Sequence, residues 1–189
     1  MSPPTDAQLL AACGAQPEAF RTLVERHHEA IHRYAARRVG ASEAEDVVAE
    51  TFATAYRRRD RYDRGRPSAA PWLYGIATNV IRDRGRSEAA RLRAFARTGV
   101  DPVATAEPAV PDPRGAELAR ALAALRPAHR DVLFLHAVAE LSHEEIAEAL
   151  DVPVGTVKGW LSRARERARR ELGADPDPLP ADARAEVTP

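Results

Sequence analysis

A chain of 189 residues has room for two small domains or one of ordinary size, and a hydrophobic share of 44% supports packed cores. Its 28 basic and 28 acidic residues cancel to a formal net charge of zero, but they are segregated: residues 57–66, 82–93 and 158–170 are basic, whereas 101–117 and 175–186 lean acidic. A single cysteine, Cys13, excludes an intrachain disulfide and a cysteine-cluster zinc site, and no run approaches the about eighteen apolar residues that would span a bilayer.

The opening MSPPTDAQLL carries no charged leader, so a reducing cytoplasm is the expected compartment, and residues 1–17 are read as an N-terminal extension. From residue 18 to 39 the apolar positions Phe20, Leu23, Val24, Ile31, Tyr34 and Ala35 follow helical spacing, and Gly40 supplies a stop. A second helix is predicted at once, capped by Ser42 with Glu45 three residues on, burying Val47, Val48, Thr51, Phe52, Ala55 and Tyr56 as far as Arg59. Residues 60–70 are turn-rich. A third helix, residues 71–86, should bury Trp72, Leu73, Ile76 and Val80 and carry Gly75, Asn79, Arg82 and Arg86 along its opposite, polar and basic side.

Residues 99–113, GVDPVATAEPAVPDP, hold four prolines among small and acidic residues and read as an extended linker between two domains. Two helices follow it, marked by Leu118, Leu122 and Leu125 and then by Val132, Leu133 and Leu135. They are expected to pack beneath a helix-turn-helix, LSHEEIAEALDVPVGTVKGWLSRARERARR at residues 141–170. In that segment Ser142 and Glu145 form a capping box, Ile146, Ala147 and Leu150 make one apolar face, and Asp151-Val152-Pro153 breaks the helix. Val157, Leu161, Ala164 and Ala168 then recur at four, three and four, leaving Thr156, Lys158, Gly159, Ser162, Arg163 and Arg167 outside the buried stripe. A short helix, a tight turn and a polar-faced second helix are how a protein reaches base edges in the major groove. The proline-rich, acidic tail 173–189 is expected to be disordered.

Taken together, these segments resemble the extracytoplasmic-function sigma factors, the smallest class of the sigma-70 family of RNA polymerase specificity subunits. The likeness spans roughly residues 18–172. AEDVVAETFATAYRRRDRYD at 44–63 is similar to the family's second conserved region, PWLYGIATNVIRDRGR at 71–86 to the segment that engages the downstream promoter element, and residues 125–169 to its fourth region. The resemblance implies an all-α fold of two small helical domains joined by a flexible linker: a region 2 bundle at 18–97, a linker at 98–114 and a region 4 helix-turn-helix at 115–172. It implies no enzymatic activity, no cofactor and no metal. Its partners would be core RNA polymerase, docked through the clamp coiled coil of the largest subunit, promoter DNA and, as is common in the family, an anti-sigma protein.

By the same resemblance, Asp46 and Glu50 dock on polymerase, while Asn79 reads the downstream element with Arg82 and Arg86 holding the strand. His136, Thr156, Lys158, Ser162, Arg163 and Arg165 contact the upstream element, where cationic side chains reach guanine and phosphates. Tyr62 and Tyr74 are candidates for a stacking surface beside that track. The chain departs from the family pattern at Ala49, where glutamine is common, at Asp151, where glycine is usual, and at Gly159-Trp160.

Other readings are weaker. His143-Glu144 lacks the second histidine at 147 that a zinc protease helix requires, and His28 and His32, four apart, show no carboxylate partner in the sequence. A stand-alone helix-turn-helix regulator is the alternative from a different class, and a basic module for an acidic protein partner is a third. The segments at 44–63 and 71–86 speak against both.

Overall fold

The computed structural model describes residues 3–98 and 113–173, so the segment between them and most of the tail, with the expectations made for both, lie outside the described residues. The described residues form helices joined by short connections, with no strand among them. Five helices make the N-terminal half: α1 (Asp6–Ala12), α2 (Pro17–Val39), α3 (Ala41–Arg58), α4 (Ala70–Asp83) and α5 (Gly85–Thr98), with a 3-10 turn at Arg59–Arg61. Four make the C-terminal half: α6 (Pro113–Ala123), α7 (Pro127–Ala137), α8 (His143–Leu150) and α9 (Val154–Glu171).

Most of the expected apolar stripes bury, but Tyr56 near the end of α3 and Leu118 on α6, both expected to pack, are 40% and 49% exposed because each faces outward from the helices beside it. Leu23, Ile31, Tyr34 and Ala35 of α2, Val47, Val48 and Phe52 of α3, and Leu73, Ile76 and Ile81 of α4 form a core that is continuous with Val132, Leu135, Ile146, Val157 and Leu161 of the C-terminal half. Gly40 both ends α2 and begins α3. Its φ of 101°, a region open to glycine, turns the chain so that its N–H donates to Ala36 O at 3.0 Å while its carbonyl accepts from Ala44 N at 3.0 Å. Ser42, expected as the cap, is therefore already inside the first turn of α3, and Glu45 has no capping role there.

Two helices escaped the sequence reading. Helix α1 is only seven residues, too short for a period to register, yet Thr5 and Gln8 close a capping box around its start. What fastens it is Asp6, whose Oδ2 accepts from Ala69 N at 2.8 Å and lies 2.8 Å from His27 Nε2, while Oδ1 accepts from Arg26 at 2.5 Å. Helix α5 begins where α4 was expected to continue: the chain leaves helical geometry at Arg84, and the segment to Thr98, dense in arginine and alanine, turns to lie along α6. The side chain of Arg86 lies outside the described residues.

Burial alone would raise the Asp6 carboxyl, but the Ala69 N–H, His27 and Arg26 outweigh it and hold it below its ordinary value. A carboxyl depressed on folding stabilises the native state above its unfolded pKa, and that contribution is lost as pH falls through the folded one. Asp6→Asn should therefore cost about 1–3 kcal/mol near neutrality, with the deficit against the parent chain shrinking below about pH 4. Urea unfolding of both proteins across pH 3–7 measures it, and a deficit independent of pH would place the effect in packing instead of charge.

The third difference concerns the two halves. The helices at 113–137 were expected to pack beneath the helix-turn-helix. Helix α7 does so against α9, but α6 lies mainly along α5, and α8 rests on α4. The contact between α4 and α8 is close enough to require a glycine: a Cβ built at Gly75 would collide with the Ala149 carbonyl oxygen, with Ala149 C at 3.1 Å and Cα at 3.2 Å.

Candidate nucleic-acid and polymerase interface

The helix-turn-helix is built from its caps. Ser142 Oγ accepts from Glu145 N at 3.2 Å and Glu145 Oε2 accepts from Ser142 N at 2.8 Å, so α8 begins at a fixed residue. It ends at Asp151, whose φ of 53° is left-handed, the conformation that makes glycine usual at such turns and that aspartate tolerates better than most residues. The turn closes with Val152 N donating to Ala147 O at 3.0 Å, and Pro153, extended, precedes α9 without demanding a hydrogen bond from its nitrogen.

Burial of Val157, Leu161 and Ala164 fixes the rotation of α9. On its outer face Lys158, Ser162, Arg163 and Arg165 are exposed and Thr156 is half-buried. Gly155 and Gly159 have open space where a Cβ would be, so the surface between these side chains is low. Further along, the positive charge is partly spent within the helix, since Arg167 pairs with Glu171 at 2.7 Å and Arg170 with Glu166. Trp160 is partly buried, 6.4 Å from the His129 ring. Burial, Arg126 and Arg163 push His129 down, so its neutral form is favoured beside that cationic face. His136 does not share the α9 face. It is half-buried on α7, stacked on His143 at 5.6 Å, with Nδ1 3.2 Å from the Leu141 carbonyl, an acceptor that makes this nitrogen the donor.

On α3, Asp46 and Glu50 are exposed one turn apart, and Arg84 bridges both, at 3.8 Å to Asp46 and 2.8 Å to Glu50. On α4, Asn79 is exposed, and its Oδ1 accepts weakly from Arg82 at 3.4 Å. Arg82 reaches away from it: Nε donates to Asp131 Oδ2 on α7 at 2.6 Å. The expected stacking surface is absent. Tyr62 and Tyr74 are each only 5% exposed, Tyr74 edge-on to Tyr34 and Tyr62 tilted against Trp72, and burial raises both phenols, Tyr62 to about 12.

Behind α4 lies a buried ionic network that the sequence reading missed. Arg38 pairs with Glu88 through Nε, donates to Tyr34 Oη at 2.8 Å through Nη1 and to Asp131 Oδ1 at 2.7 Å through Nη2. Arg130 completes it, donating to Glu88 at 3.0 Å and to the carbonyls of Leu122 and Leu125 at 3.0 and 3.1 Å. Three arginines thus surround two carboxylates, with Arg38 side chain 1% and Asp131 0% exposed. The available signal was positional: Arg38 continues the buried stripe Ile31, Tyr34, so a charge there had to be paired.

His28 and His32 do have a carboxylate neighbour, contrary to expectation: Glu45 of α3 lies 4.0 and 3.3 Å from their Nε2 atoms. Among the described residues, however, no group of three or more such side chains is arranged to hold a metal ion. An open groove of about 600 Å³ runs between α2, α5, α6 and α7, floored by Leu92, Phe95, Leu122 and Phe134 and flanked by the exposed Arg33 and Arg37. Among the described residues no helix is long and apolar enough to cross a membrane.

Comparison with known proteins gives these surfaces a family. Residues 23–91 match Sigma-70 region 2 and residues 115–167 match Sigma-70, region 4. The chain is 32% identical over 168 residues to the ECF RNA polymerase sigma factor SigW of Bacillus subtilis, covering 82% of this chain and 89% of the relative. It is 36% identical over 177 residues to SigL of Mycobacterium tuberculosis, covering 88% and 98%. A solved structure of CnrH, a sigma factor of Cupriavidus metallidurans, in complex with the cytosolic domain of CnrY superposes with a TM-score of 0.65 at 31% identity, over 90% of this chain and 98% of that one. The region 2 match across α2 to α5 disfavours a stand-alone regulator. With both regions present in this order and relatives aligned along most of its length, the chain belongs to the extracytoplasmic-function sigma factors of the sigma-70 family.

Proposed function

We propose that this sigma factor divides promoter-specific initiation among three surfaces: Asp46 and Glu50 dock on the largest subunit of core RNA polymerase, Asn79 with Arg82 and Arg86 engages the downstream element, and α9 reads the upstream element. The observation that carries the reading is the outer face of α9, where Thr156, Lys158, Ser162, Arg163 and Arg165 stand out from a helix oriented by its buried stripe. Such a face suits major-groove readout, with arginine to guanine and lysine to phosphate. His136, on α7 and tied to Leu141, would act at the edge of that footprint. The chain works as a non-catalytic subunit, and the polymerase supplies the chemistry.

Added to core polymerase and a promoter library, the protein should yield discrete start sites, and Asn79→Ala should shift base preference in the downstream element while leaving upstream preference intact. Transcription no different from core enzyme alone would overturn the reading. An unchanged downstream preference would remove Asn79 from the site.

Docking is tested separately. Reversing Asp46 and Glu50 to lysine replaces two exposed carboxylates and repels Arg84, so polymerase capture in a pull-down should fall several-fold while circular dichroism of the chain stays the same. Equal capture would leave the pair as a solvated face. CnrH was solved with a protein partner, the cytosolic domain of CnrY. By that likeness we assign this chain an anti-sigma partner, and the groove between α2 and α6, with its apolar floor and flanking Arg33 and Arg37, suits an amphipathic helix with an acidic edge.

A further inference from the structure

The start of α4 is tied down by a side chain from α1, which precedes the region 2 stretch that begins at residue 23. Ala69, at the capping position of α4, offers no side-chain acceptor of its own. Trp72, three residues on, stands where a capping box would place a glutamate, but its indole donates and cannot accept. Asp6 fills that role from sixty-three residues away, its Oδ2 accepting from Ala69 N at 2.8 Å. The same carboxylate is gripped from α2, by Arg26 on Oδ1 at 2.5 Å and by His27 Nε2 at 2.8 Å from Oδ2, and its side chain is only 4% exposed. Thr5 and Gln8, which close the box at the start of α1, fix where Asp6 stands.

We propose that Asp6 is a positioning residue for promoter recognition: by pinning the first turn of α4 to α1 and α2, it sets where Asn79 meets the downstream element. The inference rests on the assignment of α4 to that element. Ten residues, about 15 Å along the helix axis, separate Ala69 from Asn79. Recognition holds its groups to within about 0.5 Å, so a tilt of a few degrees about Ala69 is enough to spoil the contact. Leu73, Ile76 and Ile81 press α4 onto the core, but apolar contact has no preferred direction, whereas the hydrogen bond from Ala69 does. A buried ionic cluster seldom adds net stability over apolar residues of the same size. What this one adds is a fixed orientation, joining three helices at one carboxylate.

Two substitutions at Asp6 separate positioning from stability. Asp6→Ala removes both acceptor and charge. Asp6→Asn keeps a carbonyl oxygen for Ala69 N and His27 and turns its amide nitrogen toward Arg26, whose side chain, 34% exposed, can swing into solvent. Both variants lose stability, but recognition should fail mainly in the alanine one. Holoenzymes made with each chain are run against a promoter library at a temperature where circular dichroism shows every chain folded. In Asp6→Ala, discrimination among bases of the downstream element should drop about three- to tenfold, the scale of a lost helix cap, with upstream preference and polymerase capture unchanged. Asp6→Asn should discriminate like the parent, and hydrogen exchange at the Ala69 amide should quicken in the alanine variant alone. Thr5→Ala combined with Gln8→Ala opens the α1 box at the surface and serves if Asp6→Ala does not fold; its downstream discrimination should move in the same direction. Parent-like downstream discrimination in Asp6→Ala, or in the double variant where that chain does not fold, would overturn the positioning role. So would a loss that is equal at both elements, or one that follows stability through Asp6→Asn. A parent chain with no downstream preference would instead reject the assignment of α4.

Discussion

Arg38→Ala should be the most destabilising single substitution in the chain, lowering unfolding free energy by about 3–5 kcal/mol. The figure does not come from the net worth of the ion pairs, which in buried networks is small or even unfavourable. It comes from what is left behind. Glu88 and Asp131, 6% and 0% exposed at the side chain, would lose the guanidinium between them, and Tyr34 Oη would lose a donor. Arg38→Lys should recover only part of the loss, because one ammonium cannot address Glu88, Tyr34 and Asp131 in three directions as the planar fork does. Urea unfolding of the full chain measures both. A loss below about 1 kcal/mol for the alanine variant would mean that Arg82 and Arg130 suffice to neutralise the two carboxylates.

Arg163→Ala is expected to have the largest effect on DNA recognition, about 1–3 kcal/mol or roughly 5- to 150-fold in affinity, concentrated at one base position of the upstream element. Arg163 is exposed near the middle of α9, flanked by the buried Leu161 and Ala164 that orient it, and it precedes the part of the helix where arginines are paired with glutamates. Stability should change little, because the residue supports no core contact. Equilibrium binding of the holoenzyme to a library varied at the upstream element checks it. A uniform loss across all sequences, with a shallower salt dependence, would reassign Arg163 to a phosphate.

The parts of the fold that were legible in the sequence are those where one apolar stripe decides the outcome. Helices α2, α3, α8 and α9 bury most of the residues their periods single out, Tyr56 at the end of α3 being the exposed exception, and the Ser142 box forms as its spacing requires. Helix ends set by backbone geometry were less legible: Gly40 displaced the Ser42 cap because a left-handed glycine can start a helix with its own carbonyl, and α4 stops at Asp83 although its pattern continues. Helix α1 depends on Asp6 reaching Ala69, sixty-three residues away, which no local window contains. The same limit governs the site. Exposure of Asp46, Glu50, Asn79, Lys158 and Arg163 follows from helical phase, whereas the capture of Arg82 by Asp131 and the burial of Tyr74 depend on how the two halves meet.

The contrast between buried Asp131 and exposed α9 has a consequence for how ionic strength acts on this protein. Mobile ions screen solvent-exposed charges over about 8 Å at 0.15 M but penetrate little into a site as enclosed as that of Asp131. Added salt therefore weakens the hold of Lys158, Arg163 and Arg165 on the phosphate backbone, by about 0.9 in the logarithmic salt slope for each phosphate neutralised, while hardly loosening the contact between the halves. Promoter occupancy should therefore fall with rising salt along the slope set by the DNA contacts alone, because the enclosed contact between the halves adds no salt dependence of its own.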